Sequence, residues 1–93
     1  MEDDSTIFIG NKSFMAYVTG VVLQFTTKGA KEVAVKARGK FISRAVDVSE
    51  VTTKRFLVDQ IQIKDIKIGS EEFKNKEGKQ VRVSTIEITL QKK

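Results

Sequence analysis

Residues 32–40, EVAVKARGK, decide the fold because they carry the chain out of a strand and towards a helix. Apolar side chains alternate with polar or small ones over residues 32–38, and this period of two is typical of a β-strand. Gly39 then breaks the strand and permits a sharp change of direction. The alternation places Lys36 and Arg38 together on one face of the predicted sheet, opposite to the valines.

A helix is predicted after this strand, over about residues 42–56. Its apolar side chains fall into two groups. One stripe contains Ile42, Ala45, Val46 and Ser49, and a second apolar edge contains Val48 and Val51. Two apolar faces predict that the helix packs on the sheet and also on a partner, although a single wide stripe explains the same residues.

Upstream of this stretch the sequence predicts a short strand and a first helix. Thr6 to Ile9 is a β-rich run that ends at Gly10-Asn11. Ser13 is a suitable N-cap, and the apolar residues after it recur at helical spacing. Lys28-Gly29 closes this helix, because a cation and a glycine both suit a helix C-terminus.

Downstream, two runs of alternating residues flank a turn and predict a β-hairpin. The alternation of the third strand slips at Lys64-Asp65, which predicts a β-bulge or a strong twist. The fourth strand is predicted from Val81 to Leu90, with a similar slip between Val83 and Ile86. Residues 74–79 form the turn, and the flanking runs are long enough for its tip to project beyond the rest of the molecule.

The predicted element order is therefore β-α-β-α-β-β, an α+β fold in the form of an α/β two-layer sandwich with a long projecting C-terminal hairpin. With 93 residues, the chain is expected to form a single domain over residues 1–93, in which residues 1–5 are a flexible acidic N-terminus. Two copies of so small a chain can share apolar surface that neither covers alone, and this favours a homodimer.

Positive charge is segregated along the chain. The whole sequence has 17 Lys and Arg against 12 Asp and Glu, a net charge of +5. Residues 11–44 and 74–93 are strongly basic, whereas the N-terminus and residues 45–73 are acidic. A surface that binds a polyanion requires this kind of separation.

Residue types that enzymes and metal sites use most often are missing from the sequence. The chain has no Cys and no His, and it has no motif for a catalytic triad, a P-loop or a dinucleotide site. Asp47 and Glu50 lie three residues apart in the second helix, and pairing with Arg44 and Lys54 explains them better than acid–base catalysis. We therefore expect no enzyme activity, no metal and no cofactor.

The expected location is the cytoplasm. No apolar run approaches the roughly 18 residues that a membrane span needs. The acidic start, Met1-Glu2-Asp3-Asp4, is unlike a signal peptide. We expect a soluble protein that has no membrane partner and that associates with the chromosome if its basic segments bind DNA.

Three basic clusters are candidates for phosphate binding. The first is the loop 10–13, where Lys12 stands beside a helix N-terminus, although an ordinary N-cap explains the same residues. The second is the run from Lys36 to Lys40, with Arg44 one helical turn later, and a solvated strand end is the alternative. The third is the hairpin tip, a ribbon that fits a DNA groove, although lysines also block edge pairing there. Its basic residues are Lys74, Lys76, Lys79 and Arg82.

The aromatic residues do not favour base stacking. Most of them fall on predicted core stripes, and only Phe41 and Phe73 are expected to be exposed. Nothing in the sequence matches the aromatic pattern of an RNA-recognition motif. The sequence therefore predicts binding dominated by phosphate contacts, with little dependence on base sequence.

Several stretches of the chain resemble the Alba family of archaeal chromatin proteins. They are IFIGNK at residues 7–12, KARGKFISRAVD at 36–47, RFL at 55–57 with IKIGS at 66–70, and RVSTIEI at 82–88. The resemblance covers about residues 6–91 in the right order and spacing, and its most specific part is the block at 36–47.

The resemblance implies a stable homodimer that binds double-stranded DNA with little sequence preference and organises or compacts chromatin. Family members also bind RNA, so an RNA-binding protein, an RNA chaperone or a subunit of an RNA-processing complex is the alternative. A structural subunit whose charge only maintains solubility is a third hypothesis. A drop in nucleic-acid affinity after removal of the basic side chains would argue against this third hypothesis.

The resemblance also implies roles for individual residues. A central basic saddle is implied for Lys12, Arg38, Lys40 and Arg44, and hairpin-arm contacts are implied for Lys79 and Arg82. The basic clusters add Lys36 and Lys76 to this set. Phe56 lies where family members make dimer–dimer contacts along DNA. Asn11 occupies a position that is often an acetylated lysine in the family, which puts regulation by acetylation at this site in doubt.

Overall fold

The computed structural model describes residues 5–93, in which two helices pack on one face of a four-stranded sheet. The order of elements confirms the predicted β-α-β-α-β-β fold. In chain order they are β1 (Thr6–Phe8), α1 (Phe14–Thr26), β2 (Glu32–Arg38), a 3₁₀ turn (Gly39–Phe41), α2 (Ile42–Val51), a π-helical turn (Thr52–Phe56), β3 (Ile61–Lys74) and β4 (Gln80–Lys92). The flexible N-terminus that we expected falls largely on residues 1–4, which lie outside the described residues.

The strand order across the sheet is β1-β2-β4-β3. β1 and β2 run parallel, joined by the crossover through α1, whereas β4 runs antiparallel to both of its neighbours. The carboxyl ends of β1 and β2 therefore lie at the same end of the sheet as the turn between β3 and β4. Residues 10–13, 36–44 and 74–82 occupy this end, which we term the basic end.

One apolar core joins both helices to one face of the sheet. Val33 and Val35 of β2 point into it, and their partners across the ladder, Leu90 and Ile88 of β4, do the same. The helices fill the other side of the core with Tyr17, Val18, Val21, Phe25, Ala45 and Val48, all of which are buried. The opposite face of the sheet carries Lys36, Arg38 and Glu87, and we term it the open face.

The helices begin and end close to the predicted residues. Ser13 caps α1, because its Oγ accepts a hydrogen bond from the Ala16 N–H at 3.3 Å. α2 and the π-helical turn together cover residues 42–56, as predicted. The predicted stripe of α2 is only partly right, since Ala45 and Ser49 are buried whereas Val46 is exposed. The side of α2 that packs in the core is instead the one that contains Ala45, Val48 and Ser49.

Two buried threonines mark the change from α2 to the π-helical turn. The Thr52 hydroxyl donates to the Val48 carbonyl at 2.8 Å, and the Thr53 hydroxyl donates to the Ser49 carbonyl at 2.9 Å. Hydroxyls that bond back to the preceding turn compete with the regular helical ladder and bend it. The backbone beyond them pairs Leu57 N–H with the Thr52 carbonyl, which is the wider spacing of a π turn.

One of the two predicted strand irregularities exists. The pairing of β3 with β4 shifts by one residue between Ile63 and Asp65, which confirms the slip predicted there. The slip predicted between Val83 and Ile86 is wrong, because β4 keeps a continuous register through these residues. Val83 belongs to a part of the hairpin where neither face is buried, so an apolar side chain there does not indicate which face meets the core.

The last part of the hairpin projects beyond the sheet. β2 ends at Arg38, opposite Thr85, so residues 70–74 and 80–84 pair only with each other. Five residues at about 3.3 Å each extend this segment by roughly 17 Å before the turn. Gly78 has a φ of 80°, and the Asn75 side chain accepts hydrogen bonds from the N–H groups of Glu77 and Lys79. We term residues 70–84 the hairpin arm.

Candidate nucleic-acid interface

The loop at residues 10–13, which we term the Lys12 loop, is held in place by Tyr17 of α1. The Tyr17 hydroxyl accepts hydrogen bonds from the Gly10 N–H at 2.8 Å and from the Lys12 N–H at 3.0 Å. The Ile9 N–H donates to the Lys36 carbonyl, which ties the start of the loop to β2. Because these N–H groups already have partners, we expect phosphate binding at this loop to depend on the exposed Lys12 side chain.

Arg44 of α2 reaches back to the same loop. Its Nη1 donates to the Lys12 carbonyl at 2.7 Å. This contact joins residues 32 positions apart, so Arg44 positions the loop as well as contributing charge to it. The structure therefore brings two of the predicted phosphate ligands, Lys12 and Arg44, into direct contact.

Lys36 and Arg38 lie on the open face, where alternation in β2 predicted that they would share one side. Lys36 Nζ is 3.9 Å from Glu87 Oε1, and Arg38 Nη1 is 2.6 Å from Glu71 Oε1. All four side chains are substantially exposed, and such surface ion pairs contribute only about 0–1 kcal/mol. A phosphate can therefore compete for both cations, although each starts with a carboxylate partner.

Lys40 leaves the sheet on the 3₁₀ turn that follows β2. Gly39 has a φ of 59°, a left-handed conformation that glycine adopts without strain, and this turns the chain away from β2. Lys40 Nζ lies 5.4 Å from the centroid of the Phe41 ring. Within residues 5–93, neither Lys40 nor Lys12 forms an ion pair, so both charges are available to a ligand.

The hairpin arm carries the remaining predicted cations. Lys76 and Lys79 lie in its turn and are exposed. Arg82 forms two hydrogen bonds with Glu72, which stands opposite it across the ladder, at 2.6 and 3.1 Å. The arm therefore presents two lysines at its tip that form no ion pair within residues 5–93, and one arginine held by a carboxylate along its length.

The predicted phosphate-binding residues of the body and of the hairpin arm all lie at the basic end. The Lys12 loop and the Lys40 turn follow adjacent parallel strands, and the hairpin arm extends beyond them in the same direction. Phe56 lies apart from this group, on the π-helical turn, where 48% of its surface is exposed.

Several residues of this region were missed in the sequence. Phe8 is not among the aromatic residues that the sequence predicts to be exposed, but 70% of its surface is exposed, and Lys36 Nζ lies 5.8 Å from its ring centroid. Alternation within Ile7-Phe8-Ile9 contains the signal, because Ile9 is buried and Phe8 points to the other face. The carboxylates of Glu71 and Glu72 gave no such signal, since their pairing with arginines depends on the register of the hairpin.

Residues 5–93 lack two features that would indicate other classes of protein. These residues contain no cluster of three or more acidic side chains placed to hold a metal ion. They also contain no helix that is both long and apolar enough to cross a membrane.

Comparison with known proteins relates the chain to one family. The Alba family model matches residues 5–70. The DNA/RNA-binding protein Alba of Methanococcus maripaludis is 51% identical over 87 residues, which are 94% of this chain and 97% of that protein. The protein of the same name from Methanothrix thermoacetophila is 52% identical over 92 residues, covering 99% of this chain and 100% of that protein.

Solved structures of Alba proteins also superpose on this chain. Alba from Thermoplasma volcanium superposes with a TM-score of 0.84 at 42% identity, covering 92% of this chain and 98% of that chain. ALBA1 from Trypanosoma brucei superposes with a TM-score of 0.68 at 25% identity, covering 99% of this chain and 72% of that chain. The family model, the relatives and the structural neighbours agree, and the chain belongs to the Alba family.

Proposed function

We propose that the chain binds double-stranded DNA with little sequence specificity, as a homodimer that organises or compacts the chromosome, and that it also binds RNA. The observation that carries the proposal is the collection of exposed cations at the basic end, from which the hairpin arm projects. Relatives that are about half identical over nearly the whole chain are named DNA/RNA-binding proteins, which supports both ligands.

Phosphate contacts are the proposed source of affinity. In the body of the protein they come from Lys12, Lys36, Arg38, Lys40 and Arg44, and on the arm they come from Lys76, Lys79 and Arg82. Long cationic side chains on a turn and a ribbon track a phosphate backbone and carry no sequence information themselves. The proposed complex is therefore sensitive to salt and tolerant of base sequence.

A stripe of isoleucines on β3 supports the proposed homodimer. The β-bulge keeps Ile61, Ile63, Ile66 and Ile68 on the helix side of the sheet. Ile61 is buried in the core, but exposure rises along the strand to 54% at Ile66 and 82% at Ile68. Exposed apolar side chains in a row mark an interaction surface, and in the proposed dimer a second copy of the chain covers them.

Dimer–dimer contact along DNA is the role proposed for Phe56. Its exposed ring lies outside the basic end, so it stays accessible when the cations contact phosphate. We also propose that the protein is non-catalytic and acts in the cytoplasm on the chromosome, which agrees with relatives that are named for binding rather than for a reaction.

A salt-series titration tests the proposal. Fluorescence anisotropy of random-sequence duplex DNA and of structured RNA is measured against protein concentration, and light scattering gives the mass of the protein. The proposal predicts tight binding that weakens steeply with salt, by a species of twice the monomer mass. A monomer, or an affinity for both polymers that salt does not change, would contradict it. The ratio of the two affinities decides between DNA and RNA as the main ligand.

A further inference from the structure

We propose that the open face of the sheet holds an unpaired nucleotide of single-stranded RNA or DNA, stacked on Phe8. This inference rests on the proposed function for its general ligand, and it adds a subsite of different specificity that shares Lys36 and Arg38 with the proposed phosphate contacts. Its basis is a concavity of about 650 Å³ on the sheet, lined by Phe8, Lys36, Arg38, Lys67, Thr85 and Glu87. The register of β2, β4 and β3 brings the last five of these to one face.

Phe8 is the feature that indicates an aromatic ligand. Its neighbours Ile7 and Ile9 pack on or within the core, whereas its own ring projects from the edge strand with 70% of its surface exposed. Covering such a ring removes apolar surface from water and is favourable, and the fold leaves the ring uncovered. A single exposed phenylalanine is ordinary on a protein surface, so the inference depends on what surrounds the ring.

The floor of the concavity stays open at one point because the residue there is a glycine. Gly69 stands opposite Thr85 across the ladder, and a Cβ at this position would lie 3.3 Å from the Thr85 hydroxyl oxygen. Any larger residue would fill the space beside that hydroxyl. The floor therefore keeps a flat opening with a hydroxyl group at its base, which suits a planar ring with polar edges.

Polar groups of both signs surround this floor. Lys36 Nζ lies 5.8 Å from the centroid of the Phe8 ring and 3.9 Å from Glu87. Arg38 of β2 and Lys67 of β3 stand on the same face, so a strand of nucleotides that runs from the ring on β1 across the sheet towards β3 finds cations for its phosphates. The carboxylates of Glu71 and Glu87 are acceptors for the exocyclic amino groups of bases.

The balance of charge favours a nucleotide strand over a protein as the occupant. A protein interface would bury three cations and two carboxylates, at a desolvation cost that ion pairing rarely recovers. A single strand covers only the aromatic ring and leaves its phosphates in water beside the cations. Bases in a duplex are already stacked and paired, so they cannot lie on Phe8. The site therefore discriminates unpaired from paired nucleotides.

The sequence provides a direct probe, because the chain has no Trp. The substitution Phe8→Trp places one indole at the site, and stacking on a base quenches its fluorescence. We expect quenching by a 12-nucleotide single strand, in RNA and DNA forms, and no quenching by a blunt duplex at the same phosphate concentration. Leu23→Trp is the matched control, an exposed apolar position of α1 on the other side of the sheet, and it is expected to stay unquenched by the single strand.

Affinity measurements complete the test. Phe8→Ala is expected to weaken single-strand binding by about 5- to 150-fold, which is the range for losing one stacked base, and to leave duplex binding within 2-fold of the wild type. Phe8→Tyr, which retains an aromatic face, is expected to bind single strands as the wild type does.

Three results would overturn the inference. They are unchanged single-strand affinity in Phe8→Ala, equal quenching of Phe8→Trp by duplex and single strand, and an equal loss of both affinities. In the first case the wild type still binds duplex DNA. The site on the open face is then refuted, whereas the proposed function still holds. If the wild type binds neither polymer, the proposed function fails together with the inference.

Discussion

The β3–β4 hairpin is two different structures along its length. Near the helices, β4 buries Ile88 and Leu90 in the core, and β2 pairs with its other edge. Beyond Arg38 the same two strands continue as the hairpin arm, where almost every side chain is exposed and each strand pairs only with the other. An apolar core holds the first half in place, whereas hydrogen bonds and surface ion pairs hold the second.

The difference between a packed half and an exposed half explains how both can contribute to the proposed binding of nucleic acid. A two-stranded ribbon is marginally stable by itself, so the arm depends on the part of the hairpin anchored in the core. In return, its side chains are free of packing constraints, and many of them are charged. The body positions its cations on a loop, a strand, a turn and a helix that are packed together, and the arm carries its cations outward. Substitutions that are expected to affect the packed half and the exposed arm differently test this account.

The largest expected effect is on stability, from Leu90→Ala in the anchored half. Leu90 is fully buried, so removing its side chain leaves a cavity and is expected to destabilise the protein by about 2–5 kcal/mol. Val81→Ala on the arm is the matched control, with an expected cost below about 1 kcal/mol. Urea unfolding at a fixed protein concentration measures both. Equal destabilisation by the two substitutions would show that the arm is packed as firmly as the body.

A change in assembly is expected from Ile68→Lys, on the helix side of the hairpin where the arm begins. If a second copy covers this side chain, an ammonium group there is expected to convert the proposed dimer into a monomer at micromolar concentration. Leu23→Lys introduces the same charge at an exposed apolar position of α1 and is expected to leave the dimer intact. Light scattering distinguishes the two masses, and a dimeric Ile68→Lys variant would refute this interface.

A smaller loss of stability is expected from Tyr17→Phe in the body. The change removes the acceptor for the N–H groups of Gly10 and Lys12, at a cost of about 1–3 kcal/mol. Weaker duplex binding is expected as well, because the Lys12 loop loses its anchor. Thr26→Ala removes an exposed hydroxyl bond and serves as the control, with an expected cost within about 0.5 kcal/mol. Thermal unfolding and anisotropy titration measure the two effects.

The smallest expected effect is a gain of affinity from Glu72→Gln on the arm. This change releases Arg82 from its carboxylate partner, and a surface pair of this kind is worth at most about 1 kcal/mol. Duplex affinity is therefore expected to rise by up to about 5-fold. Glu77→Gln makes the same change of charge in the turn, where no ion pair of the described residues involves it. Lower affinity in Glu72→Gln would mean that Glu72 positions Arg82 for phosphate.

The anchored half of the molecule was predictable from sequence because burial imposes a period. The alternation in residues 32–38 predicted β2 with its observed ends, and the slip at Lys64-Asp65 predicted the β-bulge. The range of α2 with its π-helical turn was predicted from the same kind of pattern. In each case one face of the element meets the core, so the pattern of apolar residues reports geometry.

The exposed half was less predictable for the same reason. Val83 was interpreted as part of a slip that does not exist, because no core selects a face on the arm. The pairs Arg38–Glu71 and Arg82–Glu72 join distant residues through strand register, which local patterns do not encode. Phe8 was missed because its apolar neighbours made the whole strand resemble core.

The central claim is that position, rather than net charge, makes the basic end a phosphate-binding surface. Its most direct test compares Lys12→Ala/Lys40→Ala with Lys28→Ala/Lys31→Ala, which removes the same charge from the opposite end of β2. The measurement is the slope of log affinity for duplex DNA against log salt concentration. The account predicts that the first variant flattens the slope by about 0.9 for each phosphate that is no longer neutralised, roughly 3.6 for four lysines in the proposed dimer, while the second keeps the wild-type slope. Equal slopes in the two variants would contradict it.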